Sequence, residues 1–389
     1  MDKIVCNEAD LAENEMKEVD MGEDRKVLVI KQKGKITAIG AKCSHYGAPL
    51  VNGVLGEGRI RCPWHGACFN IETGDIEDFP GLDSLPCFDV SVDAGVVKIR
   101  AKKSDLLNDK RFKTMTKKDP RNGEIFAIVG GGPCAQTCVE NLRQNGFKGR
   151  IIMICKEPYL PYDRIQVNKY ANVKHEDIRL RSQEFYEKND IEVFLNVEAT
   201  ALATSKREIS LSSGNKLKYD KIFIATGSRA KQPEIPGNDL KNIFTLRNLD
   251  DAHKINKRLE PTAHVVILGS SFIALEAAAF CVDKAALVTI IVRNSVLFNN
   301  LFGEAIGDRI IELFKSKNVR FIMNSGIKSF YGKTENLESI ELLNGKTMQA
   351  DICIVGIGSD LNTDFLLDSE LTINNDGSID SNLYLETNV

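Results

Sequence analysis

The period of the apolar positions changes near residue 120. Before it, short alternating runs predict strands: Lys26–Lys31 and Lys35–Ala41 around Gly34, then Val90–Val92 and Val96–Arg100 around another turn. Turn residues recur at Asn52-Gly53, Gly56-Glu57-Gly58, Thr73-Gly74 and Pro80-Gly81. This spacing predicts a small antiparallel β domain. Beyond it, continuous apolar runs alternate with helical patterns. Ile125–Val129 predicts a buried strand, followed by a glycine turn, a helix over Cys134–Asn145 and a strand at Ile151–Cys155. The same order returns as strand Val265–Leu268, turn Gly269-Ser270-Ser271, helix Phe272–Val282 and strand Val288–Val292. Two such units predict an α/β architecture, one mononucleotide fold inserted in another.

Composition narrows the function classes. With 389 residues, two to four domains are expected. The balance of 51 basic and 54 acidic residues gives −3 and argues against a nucleic-acid binder. The apolar stretch 265–282 is interrupted by Glu276, so it reads as buried strand plus helix and no membrane span is expected. The first 24 residues hold nine acids and two lysines, unlike a secretory signal or a presequence. A cytoplasmic protein is expected; an association with mitochondria would have to come without a presequence. Ten scattered cysteines then read as thiols or metal ligands. Residues 101–121 are rich in lysine and arginine with few apolar positions. They read as a solvated interdomain linker, with an anionic docking patch as the alternative.

Candidate chemistry begins at Cys43-Ser44-His45, followed after sixteen residues by Cys62-Pro63-Trp64-His65. A Rieske centre needs two thiolates on one iron and two imidazoles on the other. Each half here supplies one of each, so Cys43, His45, Cys62 and His65 are the expected ligands, with Gly47, Gly53 and Gly66 making the turns. A mononuclear zinc site is the competitor, although zinc pairs usually have two or more residues between partners.

Gly130-Gly131-Gly132-Pro133-Cys134-Ala135 reads G-x-G-x-x-A between strand and helix. Gly130, Gly132 and Ala135 are the positions where bare backbone and a helix N-terminus approach a pyrophosphate. Glu157, beyond the second strand, is the candidate acid for a ribose, or a solvated loop carboxylate. The second turn reads G-x-S-x-x-A, through Gly269, Ser271 and Ala274. Ser271 puts a side chain where backbone should touch pyrophosphate, and Ala274 adds a methyl at the helix–strand contact. Arg293, not an acid, follows the next strand, which leaves NADH and NADPH both open.

The segment from Cys43 through Cys-Pro-Trp-His-Gly-Ala-Cys-Phe to Pro80-Gly81 resembles Rieske-type ferredoxins. Ala48 and Trp64 stand where respiratory Rieske proteins have two cross-linking cysteines, so the resemblance implies a carrier at the low end of the Rieske potential range. Leu160-Pro161-Tyr162-Asp163-Arg164 with Lys169, and Tyr219–Ser228 followed by Ile235-Pro236-Gly237, resemble apoptosis-inducing-factor-type and ferredoxin-reductase-type flavoproteins. That resemblance implies FAD at the first turn, with Arg164 and Lys169 close to the flavin and Thr226-Gly227 in the second chain crossing. It implies NAD(H) or NADP(H) at the second turn, with Glu276 as the carboxylate near the nicotinamide and Gly358 in the strand closing over the cofactor.

The whole order resembles the Rieske-bearing branch of the apoptosis-inducing-factor family. It implies a Rieske 2Fe–2S domain over 1–100, a basic linker over 101–121, an FAD-binding domain over 122–250, an inserted NAD(P)-binding domain over 251–374 and a return toward the FAD domain over 375–389. In the resembled family a Gly-Asp strand and an interface domain follow; neither is in this sequence, so the resemblance implies a fragment or a shortened product with an incomplete FAD site. The expected activity is NAD(P)H-dependent electron transfer through FAD and the 2Fe–2S cluster to an unidentified acceptor. The alternatives are a non-catalytic redox-sensing or signalling module that keeps the cluster, and the reductase component of an oxygenase.

Overall fold

The computed structural model describes residues 2–78, 80–170 and 172–389. It divides into two compact units, with the boundary between Met115 and Thr116.

The first unit is all-β. A six-stranded sheet runs in the order Asp2–Asn7, Val96–Arg100, Cys87–Asp93, Lys35–Gly40, Arg25–Gln32, Glu15–Gly22, every neighbouring pair antiparallel. A second sheet pairs Val54–Gly56, Arg59–Arg61, Cys68–Asn70 and Ile76–Asp78. One core, with Leu28, Ile39, Leu50, Ile60 and Phe69, contains Cys43 and Cys62; Val27, Val29, Phe88 and Val97 belong to a second. The Asp2–Asn7 and Glu15–Gly22 strands lie in the acid-rich start.

The basic stretch 101–121 does not run free, which corrects the linker expectation for its first half. Arg111 bridges Ser84 through two backbone hydrogen bonds, and its guanidinium donates to Leu85 O at 2.9 Å, Thr73 O at 2.8 Å and the Asp75 carboxylate. Lys103 pairs with Glu23. Backbone carbonyls and nearby acids provide partners for Arg111 and Lys103.

The second unit is α/β. Four parallel strands run in the order Ile191–Phe194, Arg150–Ile154, Ile125–Val129, Lys221–Ile224. A second parallel sheet runs Ile243–Thr245, Ile352–Val355, His264–Leu268, Leu287–Ile291, Val319–Ile322. Its first strand therefore precedes residue 251. Each sheet carries a three-stranded antiparallel layer, one starting at Ala199–Ala203 and one at Ile327–Tyr331. The two-stranded ribbon Ser228–Ala230 with Ser359–Leu361 joins the halves. Leu366 is already buried with Ala127 and Val129 of the first sheet, and Ile373 and Ile379 pack on the same cluster. Among the described residues no helix is long and apolar enough to cross a membrane.

Candidate functional site

Two loops of the first unit share one construction. Cys43 N donates to Ala48 O and Gly47 N to Cys43 O, both at 2.9 Å. Cys62 N donates to Ala67 O at 2.8 Å and Gly66 N to Cys62 O at 3.2 Å. Gly47 and Gly66 both have φ of +76°, the left-handed region that glycine adopts without strain. Each loop is clasped by an antiparallel pair, Lys42 with Pro49 and Arg61 with Cys68. Gly53 has an ordinary φ; a Cβ there would lie 2.5 Å from Arg61 O, so close packing and not a turn requires it. Arg61 also donates to Gly66 O at 2.7 Å, and Ser44 Oγ to Asp83 O at 2.6 Å.

These loops bring the four expected ligands together as two like pairs. Cys43 and Cys62 are 2% and 4% exposed and lie beside each other. Burial, and Cys62 beside it, push the Cys43 thiol up to about 11 against the backbone N–H groups of His45 and Tyr46. The His45 and His65 rings stand 5.0 Å apart at 79°, and His65 is exposed. Among the described residues no three His, Cys, Asp or Glu side chains surround one point. Paired thiols inside and paired imidazoles outside fit the donor set of a 2Fe–2S cluster better than a single tetrahedral ion. Ala48 is buried, Trp64 is exposed, and all ten cysteines are free.

In the second unit the glycine turns repeat each other. Gly130 has φ of +136°, and a Cβ there would lie 2.1 Å from Ala225 O. Gly269 has φ of +125°, and its Cβ would lie 2.2 Å from Gly356 O. Each first glycine thus lets its turn close onto the neighbouring parallel strand. Gly132 precedes the Pro133–Gln144 helix with no atom within 4 Å of its would-be Cβ, and Ala135 is fully buried. That bare, open helix start fits the pyrophosphate cradle of a dinucleotide.

Glu157 is not a solvated loop carboxylate. Tyr162 OH donates to its Oε2 at 2.6 Å and Arg164 Nη2 to its Oε1 at 2.5 Å. Burial disfavours the Arg164 charge, yet Glu157 and Tyr162 outweigh it and hold the guanidinium above its ordinary pKa. Arg164 lines a cavity of about 180 Å³ together with Arg247, Ser271, Gly356 and Gly358. The cavity therefore touches both nucleotide folds. Arg247 is held below its ordinary pKa by burial and by Arg164. Its backbone N–H donates to Asp251 at 2.9 Å, and Asn248 caps the following helix Leu249–Arg258. Sequence reasoning missed Arg247; its place after the Ile243–Thr245 strand and before a helix-capping asparagine was the available signal.

Ser271 behaves differently from expectation. Its Oγ accepts from Ala274 N and donates to Gly356 O, both at 3.2 Å, so the hydroxyl caps the Phe272–Cys281 helix. The Ala274 methyl is accommodated because Gly356 opposite lacks a side chain; a Cβ there would come within 3.1 Å. Thr226 and Gly227 sit at the chain crossing, where their carbonyls accept from Asn362. Lys169 is exposed at the end of the Arg164–Lys169 helix and Glu276 is half-buried on the Phe272–Cys281 helix; neither lines the cavity.

Comparison with known proteins agrees with this division. Residues 2–89 match the Rieske [2Fe-2S] domain, and residues 126–389 match pyridine nucleotide-disulphide oxidoreductases. The chain is 38% identical over 394 residues to Apoptosis-inducing factor 3 of Homo sapiens, covering all of this chain and 65% of that protein. It is 31% identical over 236 residues to the benzene 1,2-dioxygenase system ferredoxin–NAD(+) reductase subunit of Pseudomonas putida, covering 60% of this chain and 57% of that one. A ferredoxin reductase structure from Rhodopseudomonas palustris superposes with a TM-score of 0.62 at 24% identity, over 65% of this chain and 63% of that one, and shares the fold. The chain thus spans about two thirds or less of the relatives it matches. With a Rieske domain ahead of two nucleotide folds, the chain belongs to the pyridine nucleotide-disulphide oxidoreductase family.

Proposed function

We propose that the protein is an NAD(P)H-dependent oxidoreductase that delivers electrons to a Rieske-type 2Fe–2S cluster. The observation that carries this reading is the cavity shared by the two nucleotide folds, with Arg164 and Arg247 from one side and Ser271, Gly356 and Gly358 from the other. Bound together, the cofactors supply hydride transfer from nicotinamide to FAD and one-electron passage to the cluster.

The chain's own residues bind and orient. Gly130 and Gly132 open the first turn to a pyrophosphate, with Ala135 packing the helix behind it. Glu157, steadied by Tyr162 and Arg164, offers its remaining lone pairs to a ribose. Arg164 and Arg247 present positive charge where electron density would accumulate on a flavin. Thr226, Gly227 and Gly358 form the crossing that frames it. Gly269, Ser271 and Ala274 would receive the nicotinamide dinucleotide, with Glu276 and Lys169 on two contacting helices outside the shared cavity. Cys43 and Cys62 would hold one iron of a 2Fe–2S cluster, and His45 and His65 the other, nearer the surface where electrons would leave for an acceptor. Free thiols suit a reducing compartment such as the cytoplasm.

An anaerobic absorption spectrum before and after NADH tests the proposal. Flavin and Rieske bands that both bleach support it; Rieske bands alone, unmoved by NADH, refute it for this chain. A second reading, the reductase component of an oxygenase, draws support from the dioxygenase reductase among the relatives. Activity that appears only with an added oxygenase would favour it.

A further inference from the structure

The second parallel sheet bears another cavity, of about 850 Å³, which none of the groups above uses. It runs along the strands Leu287–Ile291 and Val319–Ile322 and is bounded by Leu342 and Met348 of the antiparallel layer. In open α/β sheets a dinucleotide binds beyond the carboxyl ends of the strands. This cavity instead begins at Ala286 and Leu287, the amino end of its strand, so it is separate from the second glycine turn.

Two features mark it as a built site. Thr289 lines it, is 1% exposed, and its Oγ1 has no hydrogen-bond partner among the described residues. Buried hydroxyls are nearly always paired, and this one has no protein partner among the described residues. Thr289 also pairs in register with Arg320 on the edge strand. Arg320, Lys315 and Lys346 are exposed lining residues, and no acid lines the cavity with them. Nearby acids are engaged elsewhere, Glu312 with Arg309 and Glu341 with Lys328.

We propose that this groove binds an anionic amphiphile, a small molecule with an apolar body and a carboxylate or phosphate head. The volume falls within the ~300–1,000 Å³ of small-molecule sites. The body lies against Leu287, Leu342 and Met348, and the head meets the Arg320 and Lys346 charges, with Thr289 supplying a hydrogen bond. A flat strand edge waiting for a peptide would not need a buried hydroxyl among its lining groups.

Calorimetric titration of the purified protein tests this, with laurate and dodecyl phosphate each kept below micelle formation. Dodecyltrimethylammonium supplies the same tail with a cationic head, and acetate the head without the tail. At least one long-chain anion should saturate at one per chain while the cation and acetate do not bind, and the tighter anion names the head. Arg320→Gln and Lys346→Gln should each weaken binding roughly tenfold, the loss of one charge-assisted hydrogen bond. Thr289→Val should weaken it several-fold. Both cations are exposed, so an unchanged circular-dichroism spectrum is expected for their variants. No binding of either anion, equal binding of the cationic amphiphile, or wild-type affinity in both cation variants overturns the proposal.

Discussion

Side chains added at two positions of one turn should have opposite consequences. At Gly130 a Cβ would lie 2.1 Å from Ala225 O, and φ is +136°. Strain of that kind costs on the order of 1–3 kcal/mol before the overlap is relieved. The overlap needs the end of the Lys221–Ile224 strand to move, so Gly130→Ala should destabilise the second unit with or without ligand. At Gly132 φ is −102° and nothing lies within 4 Å of a would-be Cβ. Gly132→Val should therefore leave the flavin-free stability within about 0.5 kcal/mol of wild type. Its isopropyl group would occupy the space offered to the pyrophosphate. Each backbone hydrogen bond to that charge is worth about 1.5–3 kcal/mol, or roughly ten- to hundredfold in flavin affinity. Flavin-to-protein ratio after reconstitution and the denaturant midpoint of the flavin-free protein read the two effects separately. Full flavin content in Gly132→Val, or wild-type stability in Gly130→Ala, would refute the reasoning.

Other outcomes follow from the same geometry. His65→Ala should lose the iron–sulfur cluster and its Rieske resonance while the second unit retains its melting transition; full iron content would contradict the ligand assignment. Glu140 and Arg181 form an ion pair with side chains 4% and 6% exposed. Glu140→Ala leaves the guanidinium buried and should cost the second unit about 3–5 kcal/mol, read by urea unfolding, with the Rieske unit's transition unmoved. Burial pushes the Cys155, Cys281 and Cys353 thiols each up to about 12. Their folded pKa lies above the unfolded ~8.5, so the stability they contribute is complete below that pH and is lost as pH rises toward 12. Urea midpoints at about pH 7 and about pH 10 should separate less in Cys353→Ala than in wild type, and an identical separation would count against this account.

Local signals were legible where the chemistry is local. The Ile125–Val129 strand follows its apolar run, and the helix behind Gly132 begins one residue earlier than the pattern predicts, because Pro133 suits the first helical position. The two cluster loops were readable because a Cys and a His lie within each short turn. The acid-rich Asp2–Asn7 and Glu15–Gly22 strands show no clean alternation in the sequence, because half of their charged side chains are exposed and the rest only half-buried. Long-range complements left no local trace. Gly356 lies far along the chain from Ala274 and Ser271, yet it is what makes both residues fit the second turn. The placement of Arg247 beside Arg164 in one cavity, and the grip of Tyr162 on Glu157, likewise depend on folded neighbours.

The matching construction of the two cluster loops bears on when iron must arrive. The hydrogen bonds that close them run between backbone groups, from Cys43 to Ala48 and from Cys62 to Ala67. Their roots rest in a core shared with Leu50, Ile60 and Phe69. Shape is thus inherited from the polypeptide, unlike a zinc finger whose fold waits for its ion. On that account a newly synthesised chain would finish folding during iron scarcity and accept its cluster later. Supply of iron–sulfur units would then govern how many molecules are competent, while the amount of folded protein stays constant.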